Sequence, residues 1–175
     1  MLTEPLPTLL DMRKLASRGT DMQGVLQLAK LPRLTGLLAD SDGLVEAHCR
    51  FSKDEEGHCV LNLQFEAQLS VVCQRCMDPV SIVVASNTDL GMVWNEEQAK
   101  ALPSYLEPLV LDEGQGNLWS VVEDELILSM PIVSYHDTGR CVHLKEKYTA
   151  GEESVDLASE PSPFQVLETL KSKKS

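Results

Sequence analysis

Hydrophobic and polar positions alternate through the middle of the chain. Val45, Ala47, Cys49 and Phe51 are interleaved with polar residues, and so are Cys59, Leu61, Leu63, Phe65, Ala67, Leu69 and Val71. A period of two over that length predicts strands with one buried face. The intervening Lys53-Asp-Glu-Glu-Gly57 fits a five-residue hairpin loop, a register in which Phe51 faces Cys59 and Cys49 faces Leu61. A third strand over 80–88 completes an antiparallel meander. A helical period appears on either side. Leu9, Met12, Leu15 and Ala16 make one face of a short helix over 8–18, with Thr8 or Asp11 as its cap. A short strand is predicted over 24–29, and a second short helix over 31–39 that Gly36 weakens. Residues 95–104 are polar and helix-tolerant, and 109–111 reads as a short strand. Asn117 is placed to cap a helix running to about Met130, with Leu118, Val121, Val122, Leu126, Ser129 and Met130 on its inner face and Pro131 as its stop.

The expected fold is therefore α+β: an antiparallel β-meander core packed against one main α-helix, with short terminal helices. Residues 1–144 form one domain in this reading. Residues 145–160, rich in Glu, Ser and Gly without an apolar period, read as a flexible acidic linker. Residues 161–175 read as a short helix carrying Phe164, Leu167 and Leu170, followed by a basic tail.

Composition narrows the class. The 175 residues suit one domain, and an apolar share of 43% with only 5% aromatic residues implies a core of Leu, Val, Ile and Met. No apolar run approaches the roughly 18–20 residues of a membrane span. The first residues hold an early Glu4 and two prolines with no basic segment ahead of an apolar one, which argues against a signal peptide. Five cysteines, an odd number, then read as cytosolic thiols or ligands rather than a disulfide framework. A cytoplasmic protein with no membrane partner is expected.

The net charge of −12 is unevenly spread: 7 basic and 6 acidic residues over 1–53, 5 basic and 21 acidic over 54–170, then three lysines in the last five residues. An acidic middle repels phosphate backbones and attracts basic proteins, unless it simply aids solubility. RNA contacts are expected only on the N-terminal third, through Arg13, Lys14 and Arg18, at Arg75, or on the Lys171, Lys173 and Lys174 tail.

Cys73-Gln-Arg-Cys76 closes the long second strand. A two-residue gap between strands lets both thiolates reach one Zn²⁺, and His136 and Cys141 after the main helix are the candidates to complete the tetrahedron. The plainer alternative is a pair of reduced thiols at a hairpin tip. A redox pair would normally open a helix, whereas here a strand follows. Cys49 and Cys59 fall on apolar strand faces and read as core, while His48 and His58 point the other way and read as solvated. Glu123, Asp124 and Glu125 are consecutive, about 100° apart on a helix, so they do not converge as a catalytic dyad. Glu125 falls nearest the apolar stripe. Glu123 and Asp124 face outward in this reading, as a solvated face or a docking face for a basic protein. No nucleophile–His–acid signature, phosphate loop or dinucleotide motif is present, and no small-molecule substrate is indicated.

Three segments together resemble the bacterial YceD family: VVCQRCMDPV around Cys73 and Cys76, VEDELILSMPIVSYHD from Val122 to Asp137 with Cys141 after it, and PSPFQVLETLK from Pro161 to Lys171. LDMRKLASRG and YLEP also fit, so the resemblance covers most of the chain in order. It implies a non-enzymatic cytosolic factor needed for normal accumulation of 23S ribosomal RNA, and hence for large-subunit biogenesis. Some branches of that family carry more cysteines after the helix, where this chain has His136 and Cys141. Two mechanisms follow: an acidic chaperone of a basic ribosomal or assembly protein, acting through Glu123 and Asp124, or a module binding the 23S rRNA precursor directly. A zinc hydrolase is disfavoured, since four protein donors leave no open position for water.

Overall fold

The computed structural model describes residues 4–112, 115–137, 139 and 141. Along the chain come β1 (Leu9–Asp11), α1 (Met12–Arg18), β2 (Asp21–Gln27), a 3₁₀ turn (Leu28–Lys30), α2 (Pro32–Thr35), β3 (Leu44–Lys53), β4 (Cys59–Val72), β5 (Pro79–Val93), α3 (Glu96–Ala101), β6 (Glu107–Val110), β7 (Gln115–Asn117) and α4 (Leu118–Ser129). They belong to the unit Met1–Arg140, and Cys141 is the first residue of a second unit. The expected linker at 145–160 and C-terminal helix at 161–175 lie outside the described residues.

The fold is α+β, as the alternation and the helical period imply. A five-stranded sheet has the order β2-β3-β4-β5-β6, and β1 pairs with β7 in a small second sheet. The meander of β2 to β5 is antiparallel, but β6 runs parallel to β5. The antiparallel meander is as the sequence implies, and β6 adds a parallel edge strand whose direction the sequence left open. Helix α3 and its flanking turns form a crossover, which returns the chain to the sheet in the same direction.

The β3–β4 hairpin is shifted by two residues from the expected register. Phe51 faces Leu61, Cys49 faces Leu63, and Lys53 faces Cys59. Asp54 sets the turn. Its carboxylate accepts from the Glu56 amide at 3.0 Å and the His58 amide at 2.8 Å, and Gly57 supplies a φ of 88°. Because the shift is even, the apolar face is unchanged. The histidines expected to be solvated are paired instead, His58 with Asp54 at 2.7 Å and His48 with Asp21.

Phe51, Leu61, Leu63 and Leu69 are fully buried on the inner sheet face, under Met12 and Ala16 of α1 and Leu118, Val122 and Leu126 of α4. More than one helix therefore covers this face. The opposite face stays polar, with Asn62 donating to Asn87 and Asp89 at 2.8 Å each. Several boundaries differ from the sequence reading. Helix α1 begins at Met12 because Leu9–Asp11 pairs with β7, and Asp11 then caps it by accepting the Lys14 amide at 2.9 Å. The second helix shrinks to the single turn Pro32–Thr35, and β5 extends five residues beyond Thr88 to Val93.

Helix α4 starts at the expected cap. Asn117 accepts the Trp119 and Ser120 amides at 3.0 and 3.2 Å. Glu123, expected to face outward, is only 4% exposed. Its carboxylate accepts the Arg33 amide at 2.7 Å and the Leu34 amide at 3.0 Å. These are first-turn donors of α2, which have no intrahelical acceptor, and the α2 cap residue Leu31 offers no side-chain oxygen. Glu123 caps α2 from another element 90 residues away.

Replacing Glu123 by Leu removes a charged acceptor and strands two amides, so urea unfolding should show a loss of about 2–4 kcal/mol. Glu123→Gln keeps one acceptor oxygen and should lose less. A Glu123→Leu change within about 0.5 kcal/mol of wild type, as for an ordinary surface acid, would refute the capping role.

Candidate metal centre and acidic groove

The β4–β5 turn is a thiol-bearing knuckle. The Cys73 amide donates to the Asp78 carbonyl and the Met77 amide to the Cys73 carbonyl, each at 2.9 Å. Met77 takes a left-handed φ of 64°, a conformation costly for a side chain, and is the non-glycine residue with positive φ among those described. Cys73 is fully buried. Burial alone would push its thiol up, but amides of Cys76, His136 and Arg75 and the Cys76 side chain hydrogen-bond to its sulfur, bringing its pKa down to about 5. Backbone amides aimed at a sulfur stabilise the thiolate, the form in which cysteine ligates metals.

The segment leaving α4 folds onto this turn. The Gln74 amide donates to the Ser134 carbonyl at 2.9 Å. His136 Nδ1 lies 3.3 Å from Cys76 Sγ, and Nε2 lies 2.9 Å from the Pro79 carbonyl oxygen. A carbonyl only accepts, so Nε2 carries the proton and donates, and the Nδ1 lone pair faces the thiols in neutral His136. That arrangement is the usual support of a metal-bound imidazole. The ligand atoms of Cys73, Cys76, His136 and Cys141 all lie within 4.8 Å of one another. The four residues singled out in the sequence are thus brought together, and they form a three-sulfur, one-nitrogen set able to hold a metal. Such a set suits Zn²⁺, whose tetrahedral shell takes sulfur at about 2.3 Å and nitrogen at about 2.0 Å.

Among the described residues, those expected to touch RNA do not form one surface, and the Lys171, Lys173 and Lys174 tail lies outside the described residues. Arg13, Lys14 and Arg18 lie on α1, where Arg13 packs 5.6 Å from the Trp94 ring centroid. Arg13 lines a cleft with Lys53, Cys59 and Trp94. Arg75 sits at the other end of β4, over the Tyr135 ring at 5.0 Å. The 14 residues of β4 separate those ends by roughly 45 Å.

The three consecutive acids of α4 have three environments. Glu123 is buried against α2. Asp124 is half-exposed and paired with Arg33. Glu125 is buried, and with Glu107, Asp124 and Arg33 it lines a groove of about 590 Å³ between α4 and the β5–β6 side of the sheet. Burial raises the Glu125 pKa. The Thr88 hydroxyl, bonded to its carboxylate, opposes this, and the charges of Glu107 and Asp124 add to the rise. Sequence reasoning placed Glu125 near the apolar stripe but missed the groove, because β6 returns parallel and carries Glu107 to the helix.

The family model described as "Large ribosomal RNA subunit accumulation protein YceD" matches residues 61–171. A Haemophilus influenzae protein of the same description is 31% identical over 169 residues, covering 96% of this chain and 97% of the relative. No solved structure matches the chain.

A carboxyl whose folded pKa is raised binds its proton more tightly in the folded state. Its penalty is complete above the folded pKa and is relieved as pH falls through that value towards the unfolded one. Glu125→Gln should therefore raise the thermal midpoint at pH 7, and the gain should vanish in acid near or below pH 4.5. A midpoint lowered at pH 7, or a gain unchanged by acid, would contradict this electrostatic environment.

Proposed function

Because the chain belongs to the YceD family, we propose that it supports accumulation of 23S ribosomal RNA and large-subunit biogenesis as a non-enzymatic cytoplasmic factor that holds a basic ribosomal or assembly protein. The observation that carries this reading is the charge distribution, 21 acidic against 5 basic residues over 54–170. That stretch spans β4, β5 and α4 and includes the acidic groove. Such a field concentrates cationic partners and repels RNA. Glu123 supports the docking face by anchoring α4, and Asp124 presents its charge beside Arg33.

Zn²⁺ held by Cys73, Cys76, His136 and Cys141 has a structural role in this reading. Four protein donors fill a tetrahedral shell, so the ion offers no position to a reacting water. Its holders tie the exit of α4 to the β4–β5 turn and fix the helix that lines the groove.

Direct binding of precursor rRNA is the second reading. It is favoured by the two arginine–aromatic pairs, Arg13 with Trp94 and Arg75 with Tyr135, since cation and ring together suit unpaired bases. Their placement at opposite ends of β4 weakens it.

Tagged full-length chain recovered from cells at low salt, with and without RNase, separates the two. Retention of a basic ribosomal or assembly protein after RNase is the expected result. Enrichment of ribosomal RNA, with every protein partner lost on RNase treatment, would overturn the chaperone reading and transfer the function to Arg13, Lys14, Arg18 and Arg75.

A further inference from the structure

The groove between α4 and the β5–β6 side of the sheet has an apolar floor and an acidic rim. Leu109, Val121, Ile127 and Leu128 supply apolar surface, and Leu128 is 74% exposed. Glu107, Asp124 and Glu125 face one guanidinium, Arg33, which Asp124 already engages. The rim therefore carries a net charge of −2 against apolar walls. At about 590 Å³ the groove lies within the ~300–1,000 Å³ range of ligand clefts.

We propose that this groove seats an amphipathic basic segment of the protein partner, with apolar side chains on Leu109, Val121 and Leu128 and lysine or arginine side chains on Glu107 and Glu125. The inference rests on the reading of the chain as a holder of a basic protein. The charge complementarity selects the occupant. An RNA strand would bring phosphates to three carboxylates, whereas a cationic segment relieves their mutual repulsion. A carboxylate accepts up to about four hydrogen bonds, so Glu125 has capacity beyond the Thr88 hydroxyl for an ammonium or guanidinium. β6 is an edge strand, but Pro108 in it lacks an N–H, so pairing by strand addition is curtailed. Recognition falls to side chains, as when an amphipathic helix lies in a groove.

The test uses full-length chain and a labelled helical peptide with leucines spaced i, i+4 and lysines elsewhere. A scrambled peptide of equal composition and a single-stranded RNA oligonucleotide are the comparisons, read by fluorescence anisotropy. The patterned peptide is expected to bind about tenfold or more tightly than the scrambled one. Glu125→Gln and Leu128→Ser should each weaken it about tenfold, equivalent to about 1.4 kcal/mol. Val83→Ser, at an exposed position on the far face of the sheet, should not. Glu125→Gln is expected to be the more stable chain, so its loss of binding would not reflect unfolding. Equal binding of both peptides, displacement by RNA, or indifference to both groove substitutions would overturn the proposal.

In cells, a photo-crosslinking residue at position 128 should capture a segment that mass spectrometry reads as basic and amphipathic. Capture of RNA or an acidic segment would contradict it. If wild type and Glu125→Gln retain the same basic protein equally after RNase, the groove assignment fails while the proposed function stands. If wild type retains none, that function itself fails.

Discussion

The arrangement depends on how the segment leaving α4 is fastened to the β4–β5 turn. Four contacts act together there: the Gln74 amide on the Ser134 carbonyl, His136 on the Pro79 carbonyl, His136 beside the Cys76 sulfur, and Arg75 over Tyr135. None is strong alone, since a net hydrogen bond contributes only about 1 kcal/mol. A metal ion shared by the sulfur and nitrogen donors would couple them into one clip. With that exit fixed, α4 is held along its length. Its start is capped by Asn117 and its first amide donates to the Thr8 carbonyl at 2.8 Å, while its middle is bound to α2 through Glu123.

That anchoring lets neighbouring carboxylates do different jobs. Glu123 is buried, but two amides compensate its desolvation, so it stabilises the fold. Glu125, two positions on, is buried beside an apolar wall and two other acids, with one hydroxyl to oppose the cost. Its raised pKa means that its charge opposes folding at neutral pH. Asp124 between them keeps solvent and Arg33.

Much of the fold was legible because it rests on local pattern. Period two located β3 and β4, Asn117 announced its helix, and Cys73-Gln-Arg-Cys76 with His136 and Cys141 pointed to a shared centre. What escaped depends on distant partners. The register of β3 on β4 was set by the Asp54 carboxylate, which period alone does not place. The direction of β6 follows from the α3 crossover. Glu123 turned inward because α2, 90 residues earlier, needed an acceptor. The basic residues illustrate the same limit: Arg13 and Arg75 read as one class of contact in the sequence, yet the length of β4 holds them apart.

X-ray absorption at the zinc edge, on full-length chain purified without chelator, tests the clip most directly. One zinc per chain with three sulfur scatterers near 2.3 Å and one nitrogen near 2.0 Å is the predicted result, and Cys73→Ser should abolish it. A chain that carries no zinc, or one whose bound zinc shows only oxygen and nitrogen neighbours, would contradict it.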